Sequence, residues 1–326
     1  MHITKKVYMN LQKYSELKNK DVLVSYSAGA DSTALLYILN KQKNVFNWNI
    51  KAVFFNHAKS PISEGEDKSL QCAKELTNKL GIDLIVHTID MKKTVNESWE
   101  ELGRKGRLDF FKNNDFDAIF LGHHEDDQNE TTMMQLFRGG GRGVAGMKIK
   151  EGKIYRPFLN IRKEEIYNFL REEQLNWIED PTNVNIDFTR NFWRKFMLPE
   201  IEKHYPGYDT SLKNFREKQT MQNNLLYDLA VVDGLEKIIN NEVVDISKLS
   251  EERKINLVQN LGTSMQSYIE INKIKNALKI FNNTKKNHVV LSSSKYDLHL
   301  TGNNQLLEIE CVLQLNLNKN NKKKMV

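Results

Sequence analysis

Four short apolar runs punctuate the first half of the chain: Val22–Ser25, Ala52–Asn56, Leu84–Ile89 and Ala118–Leu121. Each has strand length and is rich in Val, Ile, Leu or Phe, as a strand buried on both faces should be. Helical patterns lie between or after them, near Ser32–Lys41, Glu66–Leu80, Glu97–Asn113 and Asp127–Phe137. Such alternation predicts right-handed βαβ units and a parallel sheet covered on both faces. In sheets of this kind ligands sit outside the carboxyl ends of the strands. The residues just past the end of each strand therefore matter most for function.

Beyond Pro157 the pattern changes. Ile161–Glu173 reads as a helix, WIEDPTN as a turn-rich loop, and Thr189–Glu202 as a basic, aromatic helix. Pro206-Gly207 is a strong turn signal and marks the expected domain boundary. The expectation is an α/β parallel-sheet domain over 1–207 and a smaller, mainly helical C-terminal domain over 208–326. Alternation across His288–Leu315, around TGNN, predicts that the second domain ends in a β-hairpin. The basic end, NKNNKKKMV, is expected to be disordered.

Composition excludes several classes. The 326 residues are 40% hydrophobic, enough for a core, and a length of this order favours one large domain plus a smaller one. Cys72 and Cys311 are the two cysteines, too few and too far apart for a disulfide framework, which fits a reducing cytosol and a cytoplasmic location. No apolar run has membrane-spanning length, and the first residues lack the apolar core of a signal peptide. A net charge of +6 permits a polyanionic partner without requiring one.

The first run leads into Ser27, Ala28, Gly29, Ala30, Asp31 and Ser32. Small residues let the backbone approach a ligand, and the free N–H groups of the next helix favour an anion. The plainer reading is that Asp31 or Ser32 caps that helix. There is no GxxxxGK[ST] and no GxGxxG after a strand, so neither a Walker-type loop nor a dinucleotide fingerprint is present. Gly139–Gly141 comes after a helix and reads as its C-terminus.

The second run ends at Asn56 and His57, the fourth in GHHEDDQNETTMMQLFRGGG. Asp126 and Asp127 offer carboxylates suited to magnesium, while zinc is disfavoured because neither cysteine is near and no HExxH spacing occurs. Arg104 and Arg107, three residues apart on one helix, fit either a surface ion pair or a phosphate clamp. Arg190, Asn191, Arg194 and Lys195 interleave with Phe188, Phe192 and Trp193. That mixture suits RNA, but composition alone favours a packed amphipathic helix.

Taken in order, SAGADS, FNHAKSPISEGE, GRKGRLDFF, GHHEDDQNET, RPFL, and WIEDPTN with RNFWR after it resemble the PP-loop ATP pyrophosphatases, and within them the tRNA(Ile)-lysidine synthetase family. The resemblance implies a Rossmann-like adenine-nucleotide fold and a ligase using ATP and magnesium. It would adenylate carbon 2 of the wobble cytidine of tRNA-Ile with a CAU anticodon, and free L-lysine would then displace AMP. It further implies that Ser27–Ser32, with Asn56 and His57, bind ATP. Asp31 would lie at the pyrophosphate and magnesium, and Asp127 would hold lysine or magnesium. Arg104 and Arg190 would meet nucleotide or tRNA phosphates, and Arg107, Arg194 and Lys195 would contact RNA. A homodimer is an allowed assembly, with no membrane partner. Two positions depart from the family pattern: Ala28 stands for a glycine and Asn56 for an aspartate.

Two other functions compete. A tRNA thiolase would need cysteines at the site, and Cys72 and Cys311 are not so placed. A non-catalytic RNA-binding relative would release no AMP.

Overall fold

The computed structural model describes residues 1–56, 66–89, 99–179, 189–265, 269–283, 288–293, 296–301 and 306–311. Two compact units divide after Arg216, one of residues 1–216 and one of 217–326.

The first unit opens with α1 (Ile3–Leu11), then alternates β1 (Asp21–Ser25), α2 (Ala30–Phe46), β2 (Asn49–Asn56), α3 (Glu66–Leu80), β3 (Asp83–Thr88), α4 (Trp99–Lys112), β4 (Ala118–Phe120) and α5 (Glu125–Phe137). Two short strands come next, β5 (Lys150–Glu151) and β6 (Ile154–Tyr155), then α6 (Lys163–Glu172), α7 (Thr189–Phe192) and α8 (Leu198–His204). The sheet order is β3-β2-β1-β4-β6-β5. Every pair is parallel except β5 with β6. The predicted parallel α/β sheet is therefore present.

The central strands β1, β2 and β4 are buried on both sides, since successive side chains point to opposite faces. The edge strand β3 is only half-buried and leaves Val86 exposed, unlike the doubly buried strand expected from its sequence. Val22 and Val24 of β1 join Leu35, Leu39, Phe120 and Phe169 in one core. Leu23, between them, joins Val53, Phe111 and Ile119 in the other. All three β1 residues are fully buried. Truncating one such core leucine to alanine costs about 2–5 kcal/mol. Helix α2 ends where Asn47 enters the left-handed region, at φ 54°, and donates its N–H to Lys43. Helix α5 ends in Gly139, whose φ of 98° stops the helix, as its run of glycines suggested.

The basic segment after residue 188 is helical but not uniform: a single π turn over Trp193–Met197 separates α7 from α8. The second unit begins within α9 (Tyr208–Val232) and holds α10 (Leu235–Ile239), β7 (Val244–Asp245), α11 (Glu251–Ser264) and α12 (Ile271–Asn283). Strands β8 (His288–Ser292), β9 (Tyr296–Thr301) and β10 (Leu306–Cys311) complete it. The expected terminal hairpin is part of a four-stranded antiparallel sheet, β7-β10-β9-β8. The basic end and the TGNN turn after Thr301 lie outside the described residues. No described helix is long and apolar enough to cross a membrane.

Candidate active site

The turn after β1 is held by its own small side chains. Ser27 N–H donates to Ser32 Oγ at 3.2 Å, the two serine hydroxyls are 3.2 Å apart, and Ser32 Oγ donates to the Gly29 carbonyl at 3.1 Å. The first bond of α2 runs from Thr33 N–H to Gly29, so the helix opens at Ala30 with its leading N–H groups directed outward. Ala28, fully buried, adopts φ 62°. A side chain in that left-handed region costs about 1–2 kcal/mol. The Ala28 carbonyl is fixed by the N–H of Ile178 at 2.9 Å. Gly29 itself has an ordinary φ of −74°. The strained position of the turn is thus the one carrying alanine.

Beside this turn lies the end of β4. A Cβ at Gly122 would sit 3.2–3.3 Å from the backbone and Cβ of Asp31, so glycine lets the two strand ends approach. Next comes His124, whose side chain is buried among three carboxylates. Its Nε2 is 3.6 Å from both Asp31 Oδ2 and Asp127 Oδ2, and its Nδ1 is 3.4 Å from Asp126 Oδ2. Burial opposes a charge on His124, but Asp127, Asp126 and Asp31 together hold its pKa above the usual range. Burial pushes the Asp31 carboxyl up, only partly countered by His124 and Lys163. Asp126 also accepts the Lys163 N–H at 2.8 Å; despite burial, it is held down at about 2, chiefly by His124.

Asp127 joins this cluster to a second one. Its Oδ2 accepts the His124 N–H at 3.0 Å, while its Oδ1 accepts from Arg194 Nη2 at 3.0 Å. Arg194 also grips Glu130, through Nε at 2.6 Å and Nη2 at 3.2 Å. Arg190 pairs with Glu130 at 3.3 Å and donates to Thr131 Oγ1. Asp127 and Glu130 stand three residues apart on one face of α5, and the Glu130 side chain is 1% exposed. Burial pushes Glu130 up against the pull of Arg194. Asp127, also pushed up by burial, is nonetheless lowered by His124, His123 and Arg194. The neighbouring His123 is driven down to about 4 by burial, with Arg156, Arg190 and Arg107 acting in the same direction.

The sequence-predicted residues thus fall into groups. Ser27–Ser32, Asp127, Arg190 and Arg194 converge at the carboxyl ends of β1 and β4. Lys195 is exposed beside them, on the π turn. Asn56 ends β2, its carbonyl accepting the Ile89 N–H at 2.8 Å, and His57 lies outside the described residues. Arg104 and Arg107 stand exposed on α4, where Arg107 Nε donates to the Gly103 carbonyl. Glu130 is not singled out from sequence, although it repeats the helical spacing from Asp127; His124 reads there only as one of two histidines that, with the aspartates, resemble a metal site. Arg156 stands within RPFL without an assigned role. It comes directly after the two-residue strand β6, is buried, and donates to the Lys148 carbonyl at 3.0 Å and to Glu151.

Among the described residues no three acidic, histidine or cysteine side chains form a metal-holding group by themselves. Magnesium, however, needs only one or two carboxylates when phosphates and water supply the rest. Asp31 fits that role, because its Oδ1 is buried without a hydrogen-bond partner. Both oxygens of Asp127 are already engaged.

A tRNA(Ile)-lysidine synthase of Nitrosomonas europaea is 33% identical over 250 residues, covering 73% of this chain and 54% of that protein. Its counterpart in Buchnera aphidicola is 39% identical over 207 residues, covering 61% and 46%. The chain therefore spans about half the length of these curated relatives. A U34-tRNA thiolase structure from Methanococcus maripaludis shares the fold, with a TM-score of 0.53 over 66% of this chain and 77% of that one, at 19% identity. Residues 3–201 match the PP-loop domain model, nearly the whole first unit, and the chain belongs to that family.

Proposed function

We propose that this chain is a tRNA(Ile)-lysidine synthetase: an ATP-dependent ligase acting in the cytoplasm on tRNA-Ile with a CAU anticodon. Oxygen O2 of the wobble cytidine attacks the α-phosphorus of ATP, and pyrophosphate leaves. The amine of free L-lysine then attacks carbon 2, loses a proton, and expels AMP with that oxygen. The product is lysidine.

The observation carrying this reading is the convergence of two unlike groups at neighbouring strand ends. The Ser27–Ser32 turn offers backbone N–H groups and a helix N-terminus to the ATP phosphates. Across His124, Asp127 and Glu130 gather carboxylate charge suited to an ammonium, and Arg190, paired with Glu130, is assigned to a phosphate of the RNA. Catalysis at such a site is chiefly positioning and charge neutralisation. Magnesium, when bound, would offset charge on the departing pyrophosphate, with Asp31 holding it and Asp127 reaching it through water. Arg104, Arg107 and Lys195 are assigned to phosphates further along the RNA.

A thiolase reading finds less support. Burial raises the Cys72 thiol above its ordinary range, which disfavours a thiolate, and Cys311 belongs to the other unit. Labelled lysine, ATP and the tRNA-Ile transcript test the proposal directly. We expect label in the tRNA with one AMP per lysine, and the same from a Cys72→Ser/Cys311→Ser variant. No label from folded protein would sink it.

A further inference from the structure

One feature beside the site has no role in that chemistry. Around the buried Trp193 stand four exposed apolar side chains. Leu136 and Phe137 end α5, at 49% and 70% exposure, and Phe192 and Phe196 flank the start of the π turn, at 44% and 51%. Phe137 packs on Trp193 with ring centroids 5.2 Å apart, and Phe192 lies 5.9 Å from Phe196 at a shallow 31°. A soluble domain seldom leaves a cluster of this kind open without a use. Trp193 supplies the packing that fixes the segment, so the three phenylalanines are not needed for that purpose.

Two further observations indicate what the cluster receives. First, the same short helical segment turns Arg190 and Arg194 toward the carboxylates of α5 and Phe192 and Phe196 toward solvent. A π turn shifts the register of the side chains beyond it, and such turns recur at functional sites. Phe137 lies seven residues beyond Glu130 on α5, two turns or about 10 Å along the helix. Phe137 thus shares a helix face with Glu130, close to the candidate active site. Second, the cluster's rim is basic. Arg138 and Lys195 are both exposed, and no heavy atom lies within 4 Å of where a Cβ would stand at Gly139 or Gly141, leaving room beside the backbone. Aromatic faces with interspersed cations suit unpaired bases and their phosphates, since stacking needs only a π face. A second protein copy would instead call for a larger apolar area with little charge.

We propose that Phe137, Phe192 and Phe196 form a stacking shelf for the unpaired anticodon-loop bases that flank the target cytidine. This rests on the tRNA reading above. The shelf holds the loop open while the target nucleotide enters the site, so it sets RNA affinity rather than ATP affinity.

The test uses the full chain and a labelled RNA hairpin of the tRNA-Ile anticodon stem and loop, with a blunt duplex of the stem alone as control. Phe137→Ala and the Phe192→Ala/Phe196→Ala pair should each weaken hairpin binding about tenfold to 100-fold for each base that loses its stack. Duplex binding, ATP binding and the melting temperature should stay unchanged. Phe137→Tyr should bind like the parent. The aromatic variants should keep the salt dependence of binding, whereas Lys195→Ala should make it shallower. Unchanged hairpin binding would overturn the shelf, as would parallel loss of ATP binding or of the fold. So would a dimer that the aromatic substitutions dissociate, since that assigns the patch to a second copy. If the parent binds the hairpin in this manner yet inserts no lysine, the shelf stands and the lysine reading falls. If it inserts lysine and the alanine variants do so with unchanged KM for RNA, the reverse holds.

Discussion

The β1–α2 and β4–α5 junctions lie side by side at one sheet edge but are built on opposite plans. The first consists of small residues, backbone N–H groups and two serine hydroxyls bonded to each other. Its one carboxylate, Asp31, keeps an oxygen without a partner. The second is crowded with charge, yet that charge is matched internally: Asp127 and Glu130 face Arg190 and Arg194, and Asp126 faces His124. Asp31 meets the network only through Oδ2, 3.6 Å from His124, so its removal should cost folding little. Asp127 and Glu130, each bonded at short range to arginine, cannot be removed so cheaply. The comparison thus separates a residue loosely tied to the fold from those that also hold the molecule together.

Substitutions at the two junctions should differ accordingly. Asp31→Ala is expected to show the largest functional effect: ATP-dependent AMP formation lost, with the thermal transition within a few degrees of the parent. Aggregation or a large drop in melting temperature would show that Asp31 caps α2 structurally and would erase the contrast. Glu130→Ala should lose activity and stability together. Breaking a fully buried pair costs about 3–5 kcal/mol, but Arg190 and Arg194 are each about one-third exposed, so about 2 kcal/mol is the reasonable figure. Urea unfolding measures it, and an unchanged midpoint would mean that the arginines simply turn to water. Gly122→Ala lies between the two. The added methyl would press on Asp31 at 3.2–3.3 Å, costing about 1–3 kcal/mol and displacing the carboxylate. A fall in kcat exceeding the loss of stability would show that the spacing between the junctions matters in itself.

Legibility from sequence split along the same division. Strands β1 to β4 were readable because they are continuous apolar runs separated by periodic helices; β1, β2 and β4 are buried on both faces, while β3 sits at the sheet edge and is only half-buried. Strands β5 and β6 have two residues each and carry no periodicity, so Arg156, placed by β6, is visible only as part of RPFL and without a role. Asp127 was visible in a dense polar run. Its partner Arg194 is 67 positions away, and only the packing of α7 and the π turn against α5 brings them together. The family resemblance assigns Arg194 to RNA, whereas composition favours a packed helix; in the structure it donates to two carboxylates. The C-terminal strands alternate and so announced a hairpin, whereas β7 joins β10 from more than 60 residues upstream. Local pattern shows what a segment is, and pairing across the fold decides which charges meet.

The smallest expected effect concerns Ala28, where a tight turn carries a side chain in the left-handed region. Replacing it with glycine relieves about 1–2 kcal/mol of backbone strain. The same change forfeits a fully buried methyl group, worth about 0.8 kcal/mol, and adds about 0.4–1 kcal/mol of chain entropy to the unfolded state. These terms nearly cancel, so Ala28→Gly should move stability by no more than about 0.8 kcal/mol in either direction. The carbonyl of residue 28 still accepts from Ile178, so the turn keeps its course and the KM for ATP should change less than twofold. A larger gain in ATP affinity would mean that the alanine methyl itself crowds the phosphates. The first junction would then be sensitive to volume as well as to backbone direction, and its contrast with the charge-built second junction would narrow.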